Sequence, residues 1–184
     1  MNTFYNQEEL LAMGFAHLGE NVLISRKTSI YEPAKLVIGD NIRIDDFCLL
    51  SGSIELGRCI HLSAYCALYG KYGIRIADYS GLSPRCTIFS GNDDFSGEWM
   101  ISPMAPTEYT NVFGAFVAIE KFVQIGTGTI VMPGVKIGEG CAIGAMSFIK
   151  SSIPEWSIYA GNPARFIKER SKKLLEKYEK FIGE

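Results

Sequence analysis

IGDNIRIDDFCLLSGSIELGRCIHLSAYCALYGKYGIRI, residues 38–76, carries an aliphatic residue at every sixth position: Ile38, Ile44, Leu50, Leu56, Leu62, Leu68 and Ile74. The count then slips by two and resumes at Ile76, Leu82 and Ile88. After an interruption it returns as Ile119, Ile125, Val131, Ile137, Ile143 and Ile149. Upstream, Leu18, Ile24, Ile30 and Leu36 keep the same period. A six-residue period is the signature of a parallel β-helix. Three hexads make one triangular coil, with each aliphatic side chain pointing into the prism. The spacing therefore predicts an all-β fold of many short strands.

Two residues before each aliphatic position, a narrow coil has room for small or modest side chains. Cys48, Cys66, Cys86 and Cys141 fall there, as do Ser80, Thr129 and Ser147. The expectation is a stack of cysteines on one interior wall. Tyr72 breaks the rule, but it borders the slip. Gly39, Gly57, Gly126, Gly138 and Gly144 each follow an aliphatic position, where a turn needs either a positive φ or a missing Cβ.

The 184 residues suffice for one domain with a sizeable core, read here as 1–184. Residues 1–17 hold a short helix near Gln7–Met13, capped by Asn6 with Glu9 in capping-box position and stopped by Gly14. Residues 18–150 form the β-helix. Ile88 and Ile119 are not a multiple of six apart, and glycine, proline and acidic residues lie between them. This segment reads as a protruding loop over 91–114, and long loops in compact domains usually carry function. Residues 151–184 read as a tail. Asn162 and Pro163 start a polar helix running to about Ile182, whose charges form a solvated face. Its Phe166, Leu174, Tyr178 and Phe181 are expected to cover the open end of the prism.

A net charge of −2 and a pI near 5.8 offer nothing to attract nucleic acid or an anionic membrane. No apolar run approaches a membrane span, and no basic segment followed by an apolar one opens the chain, so a cytoplasmic protein is expected. Five cysteines without a C-x-x-C pair suggest buried, reduced thiols and no metal.

The stretches Ile143-Gly144-Ala145, Ile153-Pro154-Glu155-Trp156 and Ala160-Gly161-Asn162-Pro163-Ala164-Arg165 resemble the end of hexapeptide-repeat acyltransferases. Phe4–Leu10, Arg43–Cys48, Ala67–Gly70 and Asp93-Asp94-Phe95-Ser96-Gly97 narrow the resemblance to N-acetyltransferases acting on nucleotide-linked 4-amino-4,6-dideoxyglucose in surface-glycan (lipopolysaccharide O-antigen) biosynthesis. The resemblance implies a left-handed helix and a homotrimer with active sites between subunits. It places acetyl-CoA along the C-terminal coils and the nucleotide-linked amino sugar under the protruding loop.

Many trimeric acetyltransferases of this fold use a histidine as base. This chain has only His17 and His61, and neither lies in the loop. An alcohol acceptor needs a base because its pKa is far above neutral, whereas a neutral amine attacks a thioester and passes its proton to the leaving thiolate. The missing loop histidine thus favours N-acylation. Asp93 and Asp94 are the candidate catalytic carboxylates. One is expected to hold the amine and the other to cap a turn, with Asp94 chosen for the amine. Ser83, Arg85, Glu98, Tyr69 and His61 are candidates for substrate contact. Gly126, Thr127, Gly144 and Ala145 are candidates for the pantetheine arm, because backbone beside small residues permits close approach. Lys150, Arg165 and Lys168 suit the coenzyme phosphates, and Pro163 belongs to the segment to which the resemblance assigns adenine-side contacts. The competing readings are a glycan or glycoside O-acetyltransferase, which needs His61 or another base, and a non-catalytic trimeric scaffold.

Overall fold

A computed structural model describes residues 3–183; residues 1, 2 and 184, at the ends of the expected domain, lie outside the described residues. The chain winds as a three-walled prism of parallel strands. On the first wall Leu18, Ile38, Leu56, Ile76, Ile119 and Ile137 lie in register, one coil above the next. The second wall stacks Ile24, Ile44, Leu62, Leu82, Ile125 and Ile143. The third stacks Ile30, Leu50, Leu68, Ile88, Val131 and Ile149. All are buried except Leu18 and Ile30, partly covered at the N-terminal end. Each fully buried aliphatic side chain contributes about 1.5–3 kcal/mol, so the stacked rows supply most of the drive to fold.

Two positions of the periodic reading move. Leu36 pairs with Ile54, and Ile54 with Ile74, so Leu36 and Ile74 stand two residues ahead of the hexad row. Both slips lie at the corner between the third and first walls. One is taken up by a 3₁₀ turn over Pro33–Lys35, the other by two extra residues between Gly70 and Ile74. Ile74 and Ile76 both point inward, so hydrophobicity cannot distinguish their rows.

The size rule holds on the third wall, where Cys48, Cys66 and Cys86 stack under Thr129 and Ser147. On the first wall the equivalent row contains Leu36, Ile54, Ile74 and Val117, because strands there are long enough to turn a second aliphatic residue inward. Cys141 does not join the cysteine stack. It lies on the second wall beside Ser157, 3.6 Å away. The five glycines after aliphatic positions lack positive φ and serve close approach instead. A Cβ on Gly39 would lie 2.2 Å from the Gly57 carbonyl oxygen, and one on Gly138 2.5 Å from the Glu155 nitrogen. Positive φ falls on bulky corner residues such as Phe47, Tyr65, Arg85 and Met146. That conformation costs about 1–2 kcal/mol per residue. It is offset where the corner amide bonds the coil before, as Tyr65 N–H does to Asp46 O at 3.0 Å.

The first helix, α1 (Gln7–Ala12), has the expected capping box between Asn6 and Glu9. The C-terminal end differs from expectation. Asn162–Pro163 is a cis peptide and starts no helix; Arg165–Glu169 is a strand antiparallel to Ser157–Ala160. The last coil would otherwise leave a row of unpaired backbone groups, and this return strand satisfies them. The second helix, α2, covers only Leu174–Ile182 and lies on the prism flank, not over its end. Tyr178 meets Tyr79 and Phe122 edge-on at 5.1 and 5.0 Å, and Phe181 meets Tyr79 at 6.4 Å. Phe166 packs on Tyr159 instead. Arg170, expected on a solvated face, donates to the carbonyls of Phe122, Gly140 and Cys141 at 2.8–3.0 Å and fastens the tail to two coils. No helix among the described residues is long and apolar enough to cross a membrane.

Candidate active site

The protruding loop leaves the corner between the third and first walls on a short antiparallel stem, Gly91–Asn92 against Phe113–Gly114. Beneath it opens a cleft of about 550 Å³. Tyr69 and Phe89, one coil apart on the third wall, form one side with their rings parallel at 5.1 Å and 4°. Asp93 and Lys71 are its acidic and basic linings, with Ser102 and Thr107 from the loop.

The two adjacent acids stand in different surroundings. Asp94 caps the turn: Ser96 Oγ donates to both its carboxylate oxygens at 2.8 and 3.0 Å, and Gly97 N–H donates at 2.9 Å. These bonds, Ser96 foremost, hold the Asp94 carboxyl below the ordinary carboxylate range. Asp93 faces the cleft, and its main-chain carbonyl accepts from Asn92 Nδ2 at 2.9 Å. The reason is local: an acid three residues before Gly97 and two before Ser96 satisfies an Asx turn, and Asp93 is one position too early. Glu98 is exposed; its backbone N–H donates to Ser96 Oγ, and its side chain is not among the cleft linings.

Other sequence candidates gather on a different edge of the prism, between the second and third walls. Ser83 Oγ accepts from Gln124 Nε2 at 3.2 Å. The Arg85 guanidinium lies 5.6 Å over the Tyr65 ring, which stacks on Phe47 at 5.0 Å. Thr127 Oγ1 donates to Pro84 O at 2.6 Å. Below them runs a column of small residues. A Cβ on Gly126 would lie 2.6 Å from the Ala145 nitrogen, and one on Gly144 2.7 Å from Ala160 Cβ. Such an edge admits a slender ligand against bare backbone. Lys150 and Arg165 line a cleft of about 370 Å³ at the C-terminal end with Phe148 and Ala164. Pro163 sits in the turn between Ala160 and Arg165. Lys168 lies on the return strand opposite Ile158.

His61 is not at the cleft. It projects from the second wall, where Nε2 lies 2.7 Å from Asp45 Oδ2, and Asp45 also accepts from Arg43 Nε at 2.8 Å. Burial opposes charge on Asp45, but the bonds from Arg43 and His61 outweigh it and keep the carboxyl below its ordinary range. His17 lies on the first wall, opposite Val37. Lys71 escaped sequence reasoning, which met Tyr72 only as a break in the size rule. The signal that marks them is the two-residue slip itself. No cluster of three or more His, Cys, Asp or Glu side chains able to hold a metal occurs among the described residues.

Comparison with known proteins follows the same lines. The model of the bacterial transferase hexapeptide family (six repeats) matches residues 116–151. The dTDP-4-amino-4,6-dideoxy-D-glucose acyltransferase of Escherichia coli is 44% identical over 176 residues, covering 94% of this chain and 92% of that protein. A variant of AntD, an N-acyltransferase from Bacillus cereus, was solved in complex with dTDP-4-amino-4,6-dideoxyglucose and coenzyme A. It superposes with a TM-score of 0.97 at 47% identity, covering 100% of this chain and 98% of that one. AntD with dTDP and 3-hydroxybutyryl-CoA gives the same values.

Proposed function

This chain belongs to the hexapeptide-repeat transferases that include dTDP-4-amino-4,6-dideoxy-D-glucose acyltransferase, and from that premise we propose that it transfers an acyl group from acyl-CoA to the amine of a dTDP-linked 4-amino-4,6-dideoxyglucose. Acetyl is the acyl group we assign. The cleft under the loop carries this reading: among the described residues of one chain a single carboxylate, Asp93, stands there beside an aromatic stack, and no histidine lines it.

In the proposed reaction the neutral amine attacks the thioester carbonyl. The C–N bond forms, the tetrahedral adduct collapses, the C–S bond breaks, and the amine proton passes to the coenzyme A sulfur. Asp93 orients the amine by accepting its hydrogen bond and stabilises the positive charge as the C–N bond forms. Asp94 keeps the loop in the shape that presents Asp93. Gly126, Thr127, Gly144 and Ala145 suit the pantetheine arm. Lys150 and Arg165 suit the coenzyme phosphates, and Pro163 the adenine side.

In one chain the edge bearing Ser83, Arg85 and the glycine column is separated from the loop cleft by the whole third wall. Packing a second prism beside the first would bring one edge of each kind together. We therefore assign a homotrimer in which donor and acceptor sites are completed by neighbouring chains, working in the cytoplasm on a surface-glycan precursor such as that of O-antigen. Ser83 and Arg85 then reach the acceptor from the partner side.

The O-acetyltransferase alternative has a relative in support. A maltose O-acetyltransferase from Clostridium difficile 630 superposes with a TM-score of 0.57 at 25% identity, over 90% of this chain and 75% of that one. The 44% identity to dTDP-4-amino-4,6-dideoxy-D-glucose acyltransferase over 94% of this chain counts against it. Thiol release from acetyl-CoA, measured with dTDP-4-amino-4,6-dideoxyglucose and with a hydroxyl sugar nucleotide, tests the reading. Turnover only with the hydroxyl sugar overturns it.

A further inference from the structure

The two residues inserted at the third corner, Lys71 and Tyr72, have no counterpart in the coil above, where Gly52 and Ile54 are separated by one residue and not three. Such an insertion disturbs two neighbouring coils and needs a compensating use. Its geometry supplies one. The Tyr72 N–H donates to Ser90 Oγ at 2.9 Å, and that hydroxyl donates on to Tyr69 O at 2.8 Å. The Tyr72 ring lies against Gly91 and Gly114, the directly paired glycines of the loop stem. Tyr72 thus seats the stem, and Lys71, one residue earlier, is delivered to the cleft beneath it.

Lys71 is the one cation lining that cleft among the described residues, as Asp93 is its one anion. Lys35, on the neighbouring corner, is paired with Glu32, whereas no carboxylate among the described residues forms an ion pair with Lys71. Its ammonium instead lies 5.5 Å over the Tyr72 ring. A cation and an anion without an ion-pair partner among the described residues, lining one cleft with an aromatic stack, match a ligand carrying both charges. A sugar amine linked through a diphosphate to a nucleoside is such a ligand.

We propose that Lys71 is an acceptor-binding residue that takes the diphosphate of the nucleotide sugar, and that Tyr72 positions both Lys71 and the loop stem for it. This rests on the function proposed above. A compact ammonium on a flexible stem suits a diphosphate as a point charge. Coenzyme A also carries a diphosphate, so the chemistry alone does not separate donor from acceptor; the placement beside Asp93 assigns it to the acceptor.

Calorimetric titration of the intact protein with dTDP, thymidine and coenzyme A separates these possibilities. Lys71→Met is expected to weaken dTDP binding by about ten- to a hundredfold, the range of a lost charge-assisted contact. Thymidine and coenzyme A affinities should be unchanged, and Lys71→Arg should recover part of the dTDP affinity. Wild-type dTDP affinity in Lys71→Met, or a loss confined to coenzyme A, overturns the assignment of Lys71 while leaving the proposed function intact. If the wild-type protein binds coenzyme A but not dTDP, the function itself is overturned, and this inference with it.

Discussion

The ring of Tyr72 occupies the space that a side chain at Gly114 would need: a Cβ there would lie 2.4 Å from its ring carbons. Gly114 has no positive φ, so this glycine serves close packing, not backbone freedom. The cleft under the loop is therefore shaped by a residue on the coil and a residue on the loop that must change together.

Gly114→Ala should push the Tyr72 ring aside and tilt the stem. A displacement near 1 Å is expected to lower kcat/KM for the amino sugar by about ten- to a hundredfold, with coenzyme A affinity unchanged. In the Tyr72→Ala background the same substitution should cost much less, because the clash is gone. A double-mutant cycle on kcat/KM measures this coupling, and additive losses would refute it.

Asp93→Asn should lower kcat/KM for the amine about ten- to a thousandfold, through lost orientation and lost charge stabilisation. His61→Ala should leave kcat nearly intact, since His61 serves Asp45. Asp94→Asn should act chiefly on acceptor KM by loosening the Asp94–Gly97 turn. Steady-state rates decide the matter. An inactive Asp94→Asn beside a normal Asp93→Asn would return the amine to Asp94.

Native thiol labelling should show one fast cysteine and four slow ones. Cys59 is half-buried at a corner, while Cys48, Cys66, Cys86 and Cys141 are at most 1% exposed. The hydrogen bond to Cys66, aided by burial, pushes the Cys48 thiol up. For Cys66 the bond from Cys48 acts downward, but the bond to Cys86 and burial win and raise it to about 12. Cys86 is lowered by the bond from Cys66, yet burial still bars the reagent. Timed alkylation with mass spectrometry checks the order.

Arg170→Met should destabilise the fold by about 1–3 kcal/mol, because three main-chain carbonyls lose a charged donor. For a chain of this size that is about 2–4 °C in Tm per kcal/mol. Affinity for dTDP should be unaltered, since the staple lies at the corner between the first and second walls, remote from the loop. Differential scanning calorimetry beside dTDP titration tests both halves.

Stability should fall on the acid side. The hydrogen bond from Lys27, then that from Ser25, lowers the Asp46 carboxyl. The bond from Arg26 foremost lowers Glu9. A depressed folded-state pKa contributes stability that is complete above the unfolded value near 4 and is lost as pH falls through it toward the folded pKa. Tm should thus be flat from about pH 7 to pH 5 and decline below about pH 4. In Asp46→Asn the decline should be shallower, which a pH series of melts would reveal.

The amino-acid sequence by itself determined the prism, because every sixth position must be aliphatic for a three-walled coil to close on a dry interior. Ile44, Leu62 and Leu82 announce their wall without knowledge of any neighbour. The same holds for the capped helix at Asn6 and Glu9 and for the loop that breaks the count, since local patterns encode them. Tertiary structure alone decided which row Ile74 joins, since Ile74 and Ile76 are equally apolar and only pairing with Ile54 and Leu56 separates them. It also decided that Cys141 leaves the thiol stack and that Arg165–Glu169 returns as a strand to satisfy an open edge. Which of Asp93 and Asp94 caps the loop turn was decided in the same way. Two identical side chains differ only in which one the turn at Ser96 and Gly97 can reach, and that distance exists only once the loop has folded.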